Sequence, residues 1–198
     1  MSVFRAFAPL FTALLLWPSQ AVAHADHGTT VGVFDSLVAG LLHPILGPDH
    51  LLAMVAVGLW GAFLGRPAIW VLPVVFPMVM AVGGALGIAG LPLPFVEAGI
   101  ALSALALGLA VACAARPPLP VAAVLVGAFA IFHGHAHGTE LPEAASPLAY
   151  ALGFVAATGL LHGAGIVMGL LVRWPAGRTA VRAGGGLIGL AGAWFLLA

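Results

Sequence analysis

The sequence has no lysine, one cysteine and very little charge of either sign, with six arginines and six acids among 198 residues. Charged residues make up 6% of the chain and hydrophobic residues 63%, whereas an ordinary soluble domain is about 25% charged. So few charges cannot cover the surface of a water-soluble domain of this size, which excludes a soluble enzyme. There is no basic patch to hold a nucleic acid, and the apolar content excludes a disordered tail. A lone Cys113 excludes an internal disulfide and any cysteine-rich zinc module. What remains is an all-α integral membrane protein whose few polar residues carry its function. Among these, eight histidines outnumber the arginines.

Residues 1–23 have the pattern of a cleaved secretory signal peptide. Arg5 supplies the positive start, Ala6 to Trp17 an apolar run too short to span comfortably, and Ala21-Val22-Ala23 a small-x-small cleavage site. The competing reading is a short first transmembrane helix. Cleavage leaves 24–198 as one transmembrane domain that starts at His24-Ala25-Asp26-His27. A free amino terminus with His24 and His27 can collect a divalent metal, although a plain polar stub fits equally well.

The remainder divides at proline, glycine and arginine clusters into apolar stretches, each able to cross a hydrocarbon core of ~30 Å with ~20 residues. The expected spans are Asp35–Leu64, Ala68–Ala89, Phe95–Ala115, Leu119–His137, Pro147–Val172 and Thr179–Leu197. Charge gives a second test of this count. With six spans, Arg66, Arg116, Arg173, Arg178 and Arg182 fall on one side, and Asp26, Asp35, Glu97, Glu140 and Glu143 on the other. The positive-inside rule makes the arginine side cytoplasmic. The expectation is a multi-pass protein of a bacterial inner membrane, with its mature amino terminus in the periplasm. The runs Gly83-Gly84-x-x-Gly87 and Gly184-Gly185-Gly186-x-x-Gly189-x-x-Gly192 suit close helix packing, and Met78 and Met80 read as lipid-facing or core filler.

Ionisable residues inside spans are costly and therefore mark function. The first group is His43-Pro44-Ile45-Leu46-Gly47-Pro48-Asp49-His50. Two prolines and a glycine cannot sit in an unbroken helix, so the first span is expected to break and line a cavity. Met54, one helical turn beyond His50, is a candidate thioether ligand, with core packing as the commoner role of such a methionine. The second group is Phe132-His133-Gly134-His135-Ala136-His137-Gly138-Thr139-Glu140. His133, His137 and Glu140 share one helical face, from which His135 points away. Two imidazoles and a carboxylate at that spacing suit a first-row divalent metal, with a proton relay or pH-sensing patch as the alternative. The third is His162, alone in the fifth span, with an accessory or pathway role set against a plain interhelical hydrogen bond. Spans one to three and four to six would form 3+3 inverted halves with broken first and fourth helices, as in transporters that bind cargo between repeats.

At these residues the chain resembles the HupE/UreJ family. His43-x5-Asp49-His50 is similar to the family's HX5DH signature, and Phe132-His133-Gly134-x-Ala136-His137-Gly138-x-Glu140 to its FHGX(A/V)HGXE signature. The resemblance covers essentially the whole chain and implies a functional set of His43, Asp49, His50, His133, His137 and Glu140. His24, His27, Met54, His135 and His162 remain accessory candidates. The resemblance implies a permease or facilitator that is not an enzyme and has no prosthetic group. It would move Ni2+ from periplasm to cytoplasm for hydrogenase or urease maturation, with Co2+ and Zn2+ as alternative ions. The partners it implies are the ion, the bilayer and a cytoplasmic metallochaperone. The rival class is an intramembrane metal-dependent hydrolase, with Asp49 or Glu140 as acid or base beside a metal-bound water. Against it, the chain contains no H-E-x-x-H motif and no paired HxxHH boxes.

Overall fold

A computed structural model describes residues 32–139, 141 and 146–198. The expected signal peptide, His24, His27 and Glu140 lie outside the described residues. Within them the chain forms seven α-helices and one 3-10 turn, with no strand. These are α1 (Val33–Leu46), α2 (Pro48–Leu64), α3 (Ala68–Ile88), α4 (Val96–Ala112), α5 (Leu119–Thr139), α6 (Pro147–Gly169), the 3-10 turn Leu170–Arg173 and α7 (Pro175–Leu197).

The expected break in the first span is present. Helices α1 and α2 meet at 78° across Gly47, whose backbone is extended. Pro48 then opens α2 at its first turn, where a missing N–H costs nothing. Helices α3, α5 and α7, and α6 with its 3-10 turn, are each long and apolar enough to cross a membrane, and the bent pair forms a fifth candidate span. The remaining apolar helix, α4, has 17 residues and is about 26 Å long. Helix α7 starts one turn before the expected Thr179 because Pro175 again serves as a first-turn proline.

The expected break in the fourth span is absent, since α5 runs unbroken through its motif. Gly134 and Gly138 have a packing role instead. A Cβ at Gly134 would collide with the Met80 carbonyl, and one at Gly138 with the Gly84 carbonyl, both on α3. Small residues let these two backbones approach, and with no proline after Pro120 the hydrogen-bond ladder continues. Broken helices in both halves are therefore not a property of this fold. The helix pairings do keep a two-fold pattern. Interchanging the halves swaps the α3–α5 pairing with that of the bent α1–α2 pair and α6, and maps α4–α7 onto itself.

The arginine loops gather at one end of the bundle. The Arg116 guanidinium lies 5.0 Å over the Phe63 ring, and Arg182 Nε donates to the Ala112 carbonyl at 2.8 Å. Trp60 Nε1 joins the same end by donating to the Ala115 carbonyl. At the opposite end, Asp35 caps the start of α1 through the Gly32 N–H, and Ser36 Oγ accepts from the Ser146 N–H. Along α3, Trp70, Val74, Met78 and Val82 repeat every fourth residue on an outward face, while Leu72, Phe76 and Met80 are buried. Exposed aromatics mark both ends, Trp70 and Trp174 with the arginines and Phe95 and Trp194 opposite, as expected at membrane–water interfaces.

Candidate metal centre

The bend between α1 and α2 places His43, Asp49 and His50 against the last turns of α5. His133 and His137, four residues apart, face this bend from one side of α5, and His135 does not. Its Nε2 instead donates to the Leu91 carbonyl at 2.7 Å in the α3–α4 connection. Close approach of α6 completes the wall, because Gly40 lies on the Tyr150 carbonyl and Gly153 on the Leu37 carbonyl. Tyr150 and Phe154 thereby reach His43, and the Phe154 and His137 rings are 4.2 Å apart.

Three buried histidines form the centre. His50, His133 and His137 each offer a nitrogen, and these nitrogens lie within 4.8 Å of one another. Ring centroids are 4.5 Å apart for His50–His137, 4.8 Å for His50–His133 and 4.7 Å for His43–His137. His50 Nε2, His133 Nδ1 and both His137 nitrogens are buried without a hydrogen-bond partner. An unsatisfied buried polar atom costs about 1–3 kcal/mol. Drawn together in this way, these nitrogens form a donor set that could hold a metal ion.

Neighbouring groups determine which nitrogen of two rings is bare. The Asp49 carboxylate accepts from His50 Nδ1 at 2.8 Å and also from the His50 backbone N–H. A carboxylate only accepts, so Nδ1 carries the proton and Nε2 keeps its lone pair. His133 is arranged the other way round. Ser103 Oγ donates to the Ile100 carbonyl at 2.6 Å, which uses its only hydrogen. It must therefore accept from His133 Nε2, 2.9 Å away, leaving the Nδ1 lone pair toward the centre. Ser103 is invisible to the motif argument; its one sequence signal is a hydroxyl inside the apolar run Ile100–Leu109.

The other candidates separate clearly. His43 stacks on the edge of the trio, 5.9 Å from His50 by ring centroids. Met54 is fully buried within the apolar core cluster. His162 lies away from the trio on α6 and is nearly completely buried. Phe76 stands between the two, with its centroid 5.4 Å from both the His133 and the His162 rings. Bonds of about 2.1 Å from imidazole to metal put two donors at most about 4.2 Å apart. The trio's nitrogens lie close to that range.

Two comparisons bear on identity. The family model described as HupE / UreJ protein matches residues 12–195. Protein HupE of Rhizobium leguminosarum bv. viciae is 46% identical over 191 residues, covering 96% of this chain and 98% of that protein. No solved structure matches the chain. With a family model running through both histidine motifs and a relative aligned almost end to end, the chain belongs to the HupE/UreJ family.

Proposed function

We propose that this protein is a permease or facilitator that carries a divalent transition metal ion, Ni2+ foremost, from the periplasm to the cytoplasm. There the ion would serve maturation of a nickel enzyme such as hydrogenase or urease, handed on by a cytoplasmic metallochaperone. The observation that carries the reading is the trio His50, His133 and His137, buried in an apolar bundle with its free nitrogens converging. Neutral imidazoles suit Ni2+, Co2+, Zn2+ and Cu2+ alike, so selection among them rests on geometry. His43 and Glu140 are the further ligands in this reading. Asp49 acts through His50, contributing a negative charge and a fixed ring orientation.

Position along the bundle supports a direction. His133 lies 14 residues after Leu119, which starts α5 at the arginine end. At 1.5 Å per residue that is about 21 Å up the helix, in the half nearer the acidic end. Reading the arginine end as cytoplasmic, the site receives its ion from outside. His24, His27 and Glu140 would gather the ion there.

The test is competitive uptake into vesicles loaded with a Ni2+-sensitive dye, with Co2+ and Zn2+ as competitors and an uncoupler in a parallel set. Wild type should accumulate Ni2+, and His50→Ala should not. Equal uptake by the two overturns the proposal.

A further inference from the structure

His162 has no function in the trio, yet its surroundings are unusual for a residue of mere packing. Neither of its ring nitrogens has a hydrogen-bond partner of good geometry, and Thr158 Oγ1, one turn earlier on α6, is equally unpartnered. Thr158 is completely buried and His162 nearly so. Residues four apart share a helical face, so the hydroxyl and the imidazole project together.

The element opposite them supplies a third polar atom. Helix α3 contains Pro73 and Pro77. In a helix the carbonyl of residue 73 bonds the N–H of residue 77, and proline has none. The Pro73 carbonyl is thus left without its helical donor and is free to accept from the His162 ring. Phe76, between the two prolines, presses edge to face on His162 at 90° and also touches His133.

Axial order makes this a sequence of positions. Pro73 is five residues into α3 from the arginine end, about 8 Å along the axis, against about 21 Å for His133 on α5. An ion leaving the trio toward the arginine end meets Phe76 and then Thr158, His162 and the Pro73 carbonyl.

We propose that His162, Thr158 Oγ1 and the Pro73 carbonyl form a second, inner cation site that accepts a first-row divalent ion from the histidine trio, with the Phe76 ring as the partition between them. The inference rests on the transport reading above for its direction. The inner donor set is one imidazole and two neutral oxygens, poorer than the trio, as a site that passes its ion on requires.

The test uses the full chain in lipid nanodiscs and proteoliposomes, with Cys113→Ser as the background. His162→Ala and His162→Gln should keep the background's Ni2+ affinity at the trio and lose Ni2+ transport by about tenfold or more, since even an outer-shell partner is worth about 10–100-fold. Retained affinity shows that the variants fold. Glutamine can still satisfy the Pro73 carbonyl, so wild-type transport by His162→Gln assigns the residue a structural or water-holding role and overturns the proposal. Titration of His162→Cys with Co2+ should produce a thiolate-to-metal charge-transfer band, because a thiolate at this position would ligate directly. Absence of the band overturns the inner site. If the Cys113→Ser background itself fails to transport Ni2+, the transport reading fails, and the Co2+ band alone then decides whether the site binds metal.

Discussion

His50 and His133 turn opposite nitrogens toward a shared centre, and each orientation depends on one small partner. Removing the Ser103 hydroxyl frees the His133 ring to take the wrong tautomer. Ser103→Ala should weaken Ni2+ binding about 10–100-fold while costing roughly 1 kcal/mol of stability, which calorimetric titration and a thermal melt will separate. His135 bonds the Leu91 carbonyl instead of facing the trio. His135→Ala should therefore retain most uptake where His43→Ala and His50→Ala abolish it at intact expression. Equal losses at all three positions would contradict the face assignment. Ligation also requires unprotonated rings. A proton removes the lone pair and adds repulsion toward the ion, so Ni2+ uptake should fall once the medium is acid enough to protonate the trio.

Between helices, glycine decides the register. Gly134 lies on the Met80 carbonyl, so Gly134→Ala should push α5 off α3 and cost about 1–3 kcal/mol or more. Gly186 on α7 has open space where a Cβ would go, and Gly186→Ala should be neutral or stabilising by up to about 1 kcal/mol. Comparing the two melting temperatures checks the difference. This contrast also explains what could be read without coordinates. The break at Gly47 was legible because Pro44, Gly47 and Pro48 disrupt the helix locally, whatever surrounds them. The expected break in the fourth span does not occur because the role of the α5 glycines depends on α3, some 50 residues away in sequence. Spacing alone placed His133 and His137 on one face and His135 off it. It could not show that Ser103, 30 residues earlier, fixes which nitrogen of His133 is bare. The Pro73 and Pro77 pair is silent in the sequence for the same reason, since a freed carbonyl acquires meaning only from what lies opposite.

For the molecule as a whole, the arginine end supplies a built-in reporter of orientation. Cys113 is exposed at the end of α4, close to Arg116 and to the Ala112 carbonyl that binds Arg182. A membrane-impermeant maleimide should label it in inside-out vesicles and leave it untouched in right-side-out ones. The opposite pattern would reverse the direction of transport proposed above. Arginine placement and hydropathy point to this polarity without coordinates, because both follow from solvation and need no tertiary contact. The division of the trio between two helices, His50 on α2 and His133 and His137 on α5, has a consequence for turnover. With association near 10⁷ M⁻¹s⁻¹, an ion held at about nanomolar affinity stays for about 100 s, and one held at about micromolar affinity for about 0.1 s. A cage already drawn tight around its ion would resemble a structural zinc site and empty on the slower scale. Ligands that belong to two helices can part to release their ion on the faster scale, which lets the same three histidines serve many ions in succession.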